Sequence, residues 1–182
     1  NKTWAEQISR GLWSARRLTI MTEYQKKGDV VYTPDWVAKD IVDYFKPTGI
    51  ILDPCRGQGA FHKFMPSGSP YCEITEGIDF LKWTDKVDWC ISNPPYSIFR
   101  KFFEKGFEVS DNCVWLIPTW KAFSGAGLIT SSRKYGGMAH MRHYGTGTKL
   151  GWSPLANSIS AVYYKRGYKG DISQSWYDWS SK

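Results

Sequence analysis

The chain has 182 residues, a formal net charge of +7, a hydrophobic fraction of 42% and an aromatic fraction of 16%. These values exclude a disordered chain and fit a single domain with a real core. No run of about 18 apolar residues exists, which excludes a membrane-spanning helix, and no charged-then-apolar leader marks secretion, so a cytoplasmic protein is expected.

Residues 1–29 read as a basic N-terminal extension, with Trp4, Leu12 and Trp13 among Arg10, Arg16, Arg17, Lys26 and Lys27. Part of it has amphipathic helical spacing. A catalytic domain over 30–170 is expected to follow. Thr33-Pro34-Asp35 predicts a helix start, with Thr33 as cap and Pro34 in the first turn. Val37, Ile41, Tyr44 and Phe45 then recur at helical spacing, and Pro47-Thr48-Gly49 ends the run.

Gly49 to Asp53 predicts a short buried strand ending in an acid. A turn with two glycines follows, Pro54 to Gly59, and then a helix. Tyr71 to Ile74 predicts a second strand and Val87 to Ser92 a third. Ile98, Phe99, Phe102, Phe103 and Phe107 mark a helix. Cys113 to Ile117 predicts a fourth strand and Ile159 to Tyr164 a late β-rich run. Strands alternating with helices argue for an α/β fold with a mostly parallel, doubly wound sheet and an antiparallel C-terminal hairpin. Residues 119–152 are basic and rich in Gly, Ser and Thr, and predict a long functional loop. Residues 171–182 read as an aromatic tail, in which Trp176, Tyr177 and Trp179 pack on the sheet. No internal repeats occur.

Cys55, Cys72, Cys90 and Cys113 form no C-x-x-C pair and have no histidine at zinc spacing. They read as reduced thiols, and no metal is expected. Charge is more informative. Between Asp111 and Asp171 there is no acidic residue, whereas Lys121, Arg133, Lys134, Arg142, Lys149, Lys165, Arg166 and Lys169 lie in that stretch. One-signed charge over a segment points to a phosphate backbone, with Lys121, Arg133, Lys134, His140, Arg142, His143 and Lys149 as candidate contacts. The competing reading is a solvated face compensated by acids elsewhere in the fold.

Two motifs carry chemistry. In Asp53-Pro54-Cys55-Arg56-Gly57-Gln58-Gly59-Ala60-Phe61 a strand runs into a glycine turn. Glycine permits close backbone approach to a ligand at a strand's carboxyl end. Glu73 follows 20 residues after Asp53, a spacing that suits a carboxylate on ribose hydroxyls. Asp53 at the turn's mouth would repel phosphate and suits a cationic ligand end. In Asn93-Pro94-Pro95-Tyr96, two prolines stiffen the backbone and remove two N–H donors. The Asn93 oxygen and the Pro94 carbonyl then form a fixed pair of acceptors for a planar NH2 group. Tyr96 offers an aromatic face to a base.

Together these motifs resemble those of the class I S-adenosylmethionine-dependent methyltransferases, in particular the adenine-N6 amino-methyltransferases. Tyr32-Thr33-Pro34 is similar to their upstream motif, Asp53 to Phe61 to their cofactor motif, and Asn93 to Tyr96 to their catalytic motif. The resemblance covers about residues 30–120. It implies a Rossmann-like class I fold, S-adenosyl-L-methionine as cofactor and methyl transfer to the N6 amine of adenine in DNA, with base flipping where the target is a duplex. It implies that Thr33 and Asp53 hold the methionine end, with Tyr32, Pro54 and Phe61 also in the cofactor site. Gly57 and Gly59 let the cofactor lie close, and Glu73 holds the ribose. Asp79 and Phe80 hold the cofactor adenine, and Asn93, Pro94, Pro95 and Tyr96 the target amine.

The chain departs from that pattern in two ways. Only six residues separate Glu73 from Asp79, too few for the usual intervening helix. No separate target-recognition domain is present, so a partner subunit for recognition is an open possibility, and the oligomeric state is open too. RNA adenine or protein glutamine as substrate remains an alternative, as does a catalytically silent subunit of a heteromeric enzyme.

Overall fold

A computed structural model describes residues 31–152 and 157–181, so the basic N-terminal extension lies outside the described residues. The chain order is α1 (Asp35–Phe45), β1 (Ile51–Leu52), β2 (Val87–Ser92), α2 (Phe99–Val109), β3 (Ser110–Pro118), α3 (Ala126–Tyr135), β4 (Gly136–Thr146), β5 (Ser158–Arg166) and β6 (Ser173–Trp176). The six strands form one sheet in the order β1-β2-β3-β5-β4-β6. β1, β2 and β3 are parallel, β5 runs antiparallel between β3 and β4, and β6 lies parallel to β4.

β3 explains the layering. Its Cys-Val-Trp-Leu-Ile run is fully buried, as a strand covered on both faces must be. Alternate side chains point to opposite faces. Cys113, Trp115 and Ile117 join the core under α2 and α3, with Phe99, Phe102, Phe103 and Phe107. Val114 and Leu116 join the other core, with Val37, Ala38 and Ile41 of α1. The sheet is therefore covered on both faces, and the carboxyl ends of β1, β2 and β3 are left at one rim.

Four expectations need correction. Tyr71–Ile74 is not a strand: only single bridges form, Asp53 to Tyr71 and Glu73 to Ile78. Pro66 and Gly68 before it and the short link to Asp79 after it leave no room for a ladder. The helix expected after the glycine turn is a single 3-10 turn, His62–Phe64. Thr33 does not cap α1, because Pro34 occupies the N-cap position and no side chain caps the end.

Last, residues 119–152 are no loop: they hold α3 and the eleven-residue β4. Glycine at the start of β4 is a packing requirement there, since a Cβ on Gly136 would lie 2.2 Å from the Lys165 carbonyl oxygen. The tail also belongs to the sheet through β6. Beyond it, the Tyr177 and Trp179 rings lie 4.9 and 5.3 Å from the Trp36 ring.

α1 is tied to β4 by one carboxylate. Asp40 accepts from Arg142 Nε at 2.6 Å and Nη2 at 2.8 Å, and from the Tyr144 hydroxyl at 2.6 Å. Tyr144 is fully buried and the Arg142 side chain is only 12% exposed. Removing the acid would leave a poorly solvated cation and an unpaired hydroxyl. Asp40→Ala is therefore expected to cost about 3 kcal/mol in urea unfolding. Asp43→Ala, which breaks an exposed pair with Lys39, is expected to stay within about 0.5 kcal/mol.

Candidate active site

The rim at the carboxyl ends of β1 and β2 carries a pocket of about 160 Å³. Its walls include Tyr32, Thr33, Gly57, Phe61, Glu73, Asn93, Pro94 and Pro95 from the expected set, with Val31, Cys55, Ile74 and Thr75 in addition. The two motifs, 40 residues apart in the chain, meet because β1 and β2 pair in parallel with Leu52 opposite Cys90.

Asp53 is fully buried and does not line the pocket, though its neighbour Cys55 does. Its Oδ1 accepts from the Ser92 hydroxyl at 2.7 Å and from the Cys55 backbone N–H at 3.2 Å. Among the described residues no donor reaches its Oδ2. Burial pushes its pKa up to about 7, and Ser92 only partly offsets this. A buried carboxylate with one oxygen unmet is costly unless a donor or cation completes it.

Glu73 fastens the glycine turn. Its Oε2 accepts from the Gly57 N–H at 2.8 Å, and its Oε1 accepts from the Thr75 N–H at 2.9 Å and hydroxyl at 2.7 Å. Oε2 therefore keeps a lone pair for a further donor. Gly57 has φ +52°, and a Cβ there would lie 3.7 Å from the Tyr32 ring. Gly59 closes the turn through its N–H on the Arg56 carbonyl at 2.8 Å. Pro54 is buried between Asp53 and that turn.

Asn93 is held by its amide nitrogen. Nδ2 donates to the Val31 carbonyl at 2.8 Å, while Oδ1 is buried with no donor among the described residues. Next to it, the Trp152 indole N–H donates to the Tyr32 carbonyl at 2.8 Å.

Three expected residues stand elsewhere. Phe80 is in the core, 5.2 Å from the Phe102 ring and 6.5 Å from Trp115. Asp79 caps the 3-10 turn Phe80–Lys82, accepting from the Leu81 N–H at 3.0 Å. Tyr96 is 9% exposed and joins the core under α2. None of the three is on the pocket wall, and neither are Asp53, Pro54 and Gly59.

The basic candidates are not brought together. Lys121 follows β3 and Lys149 follows β4, both at the pocket rim of the sheet. Each lies over a tryptophan, Lys121 at 4.8 Å from Trp120 and Lys149 at 5.5 Å from Trp179. Arg133 and Lys134 end α3 at the opposite rim, where Gly136 pairs with Arg166. Arg142 is spent on Asp40. His140 bonds Tyr44, Ser173 and Ser175, and His143 bonds Ser160 and Gln174. Burial, with Arg142 beside it, lowers the pKa of His140, so it is neutral at pH 7.

Ser92 and Ile74, which sequence reasoning passed over, each adjoin a residue it singled out. Trp152 left no such signal, being 120 residues from its partner Tyr32.

No protein-family model matches the chain, and no curated protein matches it in sequence. Solved structures do match in fold. A protein from Listeria monocytogenes assigned to the class I S-adenosylmethionine-dependent methyltransferases aligns with TM-score 0.60 and 14% identity, over 94% of this chain and 72% of that one. The methyltransferase subunit of a type I restriction-modification system from Streptococcus thermophilus aligns with TM-score 0.57 and 13% identity, over 88% and 50%. A protein from Pyrococcus horikoshii assigned as an RNA methyltransferase aligns with TM-score 0.50 and 14% identity, over 84% and 99%. The chain has the class I methyltransferase fold, and it spans about half the length of the type I subunit it matches.

The buried Asp53 yields a stability prediction. Its folded pKa of about 7 lies above the ordinary carboxyl value of 3.8. Between those values the native state keeps a proton that the unfolded chain has lost, so stability falls as pH rises through that window. Asp53→Asn, which keeps Oδ1, is expected to stabilise the ligand-free protein by about 1–2 kcal/mol at pH 8, with the gain vanishing near pH 4. Urea unfolding at the two pH values measures it, and a destabilised variant at pH 8 would contradict it.

Proposed function

We propose that the chain is an S-adenosyl-L-methionine-dependent methyltransferase acting on the N6 amine of adenine in DNA. The observation that carries the reading is Asn93, a residue of the pocket wall: its nitrogen is locked on Val31, and its buried oxygen is left as an unmet acceptor. The pocket residues fit the cofactor. Asp53 Oδ2 is an unmet buried carboxyl oxygen, which an ammonium would favour in its ionised form, and Glu73 Oε2 keeps an acceptor site for a hydroxyl. Ile74 is an apolar wall next to that carboxylate, where a base can lie. When bound, the cofactor supplies an electrophilic methyl on a sulfonium.

The chain's own residues then position. Asn93 Oδ1 and the Pro94 carbonyl accept the two hydrogens of the target amine, and this withdraws the nitrogen lone pair from the ring. Pro94 and Pro95 hold that pair of acceptors rigid, so the gain is chiefly one of orientation. Trp120, 52% exposed beside Lys121, offers the stacking face at the rim that buried Tyr96 does not. DNA is favoured because restriction-modification methyltransferases stand among the structural neighbours; an RNA methyltransferase assignment among them keeps RNA adenine as the second reading.

Incubation with labelled S-adenosylmethionine and separate DNA, RNA and protein pools is expected to label adenine in DNA. Asn93→Ala is expected to lose at least about 100-fold in transfer rate. No label in any pool, or full transfer by Asn93→Ala, would overturn the assignment.

The placement of the cations gives a second test. Lys121→Ala combined with Lys149→Ala is expected to weaken DNA binding about tenfold and to flatten its salt dependence. Arg133→Ala combined with Lys134→Ala is expected to change it less. Fluorescence anisotropy at several salt concentrations separates the two outcomes.

A further inference from the structure

The unmet acceptor on Asn93 exists only because its amide faces one way. A primary amide has two near-isosteric orientations, with nitrogen and oxygen exchanged. The Val31 carbonyl chooses between them, because it accepts and cannot donate. With Nδ2 toward it the contact is a 2.8 Å hydrogen bond; with Oδ1 toward it the same contact would set two acceptors against each other. The flipped amide would also present N–H groups to an incoming amine, donor against donor.

Val31 must therefore be held in place. It belongs to the short strap Val31–Thr33, which lines the pocket. The next carbonyl along, that of Tyr32, accepts from the indole N–H of Trp152 at 2.8 Å. Trp152 is 6% exposed. Its own backbone N–H donates to the Gly147 carbonyl at 2.9 Å, which anchors it to the 3-10 turn Gly147–Leu150 after β4. Two consecutive strap carbonyls are thus pinned by two side chains, one from the catalytic motif and one from the far half of the fold. Tyr32 itself is 53% exposed, so its side chain contributes little burial to hold the strap. The indole bond ties the strap at Tyr32 to the turn after β4, beside the packing of Val31 against the core under α1.

We infer that Trp152 is a positioning residue: by holding the strap it fixes the Val31 carbonyl, and through it the orientation of the Asn93 amide that receives the target amine. Trp152 does not itself line the pocket; it touches the wall through the Tyr32 carbonyl and acts through Asn93. This role rests on the methyltransferase reading for its consequence in catalysis, while the orientation of the amide is a property of the chain alone. The same 3-10 turn carries Lys149, so the part of the rim nearest a polyanion is also the anchor of this indole.

The test uses the full chain and two readouts. Trp152→Phe keeps a ring in the site and removes the N–H. It is expected to lower kcat about two- to tenfold, the range that one neutral hydrogen bond allows, with KM for DNA unchanged. Trp89→Phe, at a ring stacked on Tyr163 in β5, is expected to leave kcat as in the wild type.

The second readout is the Asn93 side-chain NH2 resonance, identified by its loss in Asn93→Ala. In Trp152→Phe it is expected to shift and to exchange faster with solvent. Tyr32→Gly, which loosens the strap at an exposed position, is expected to move the signal the same way and keeps the test open if Trp152→Phe folds poorly. An unmoved Asn93 signal in both variants, or an unchanged kcat in folded Trp152→Phe, would overturn the inference. Absence of methyl transfer by the wild type would instead remove the proposed function, and the Asn93 signal would still decide the positioning role.

Discussion

The bond from the Ser92 hydroxyl to Asp53 joins the two halves of the candidate site. It spans the carboxyl ends of β1 and β2, is fully buried, and measures 2.7 Å. Ser92 ends the strand that leads into Asn93, and Asp53 begins the turn that carries Gly57. One hydrogen bond therefore sets the buried acid and the amide on the pocket wall in fixed relation. The parallel register of β1 and β2 makes this possible, and β3, buried on both faces, supports that register from the next position in the sheet.

Burial of Asp53 is a cost that the ligand-free fold carries. Its unmet oxygen and raised pKa are what a site looks like when it is organised for a charge that arrives from outside. The same holds for Asn93. Its amide nitrogen donates to the Val31 carbonyl, and its oxygen is left without a donor among the described residues. Acceptors exposed to water would be solvated and would have to shed that water first; acceptors kept dry are already in the state that binding needs.

Much of this was legible in the chain. The strand Val87–Ser92 was read to the residue, and α2 from its run of phenylalanines, because both follow simple periods. The motifs were legible because their chemistry is local: an acid, two glycines, an amide and two prolines. Three things were not legible, for different reasons. Tyr71–Ile74 has strand composition, but a strand needs a partner ladder and the short flanking links deny it one. β4 was hidden because its α1-facing positions are His140, Arg142 and Tyr144, polar groups that become buriable only when Asp40 and the serines of β6 meet them. Trp152 was hidden because its importance lies in one hydrogen bond across 120 positions of sequence, which no local pattern reports.

The charge pattern changed meaning in the same way. An acid-free segment of sequence is not an acid-free surface. Asp40 neutralises Arg142 and Asp111 neutralises Arg166, both acids coming from before the basic segment, and Lys169 donates to the carbonyls of Arg133 and Gly136. Folding thus removes several of the cations that made the segment conspicuous. Lys121 and Lys149 are left differently, each beside a tryptophan and each at the rim that holds Asn93. Those two positions follow β3 and β4, which run in the same direction in the sheet, so their connections emerge at the same end as the pocket. The sheet topology, more than the net charge, determines where a polyanion would meet this fold.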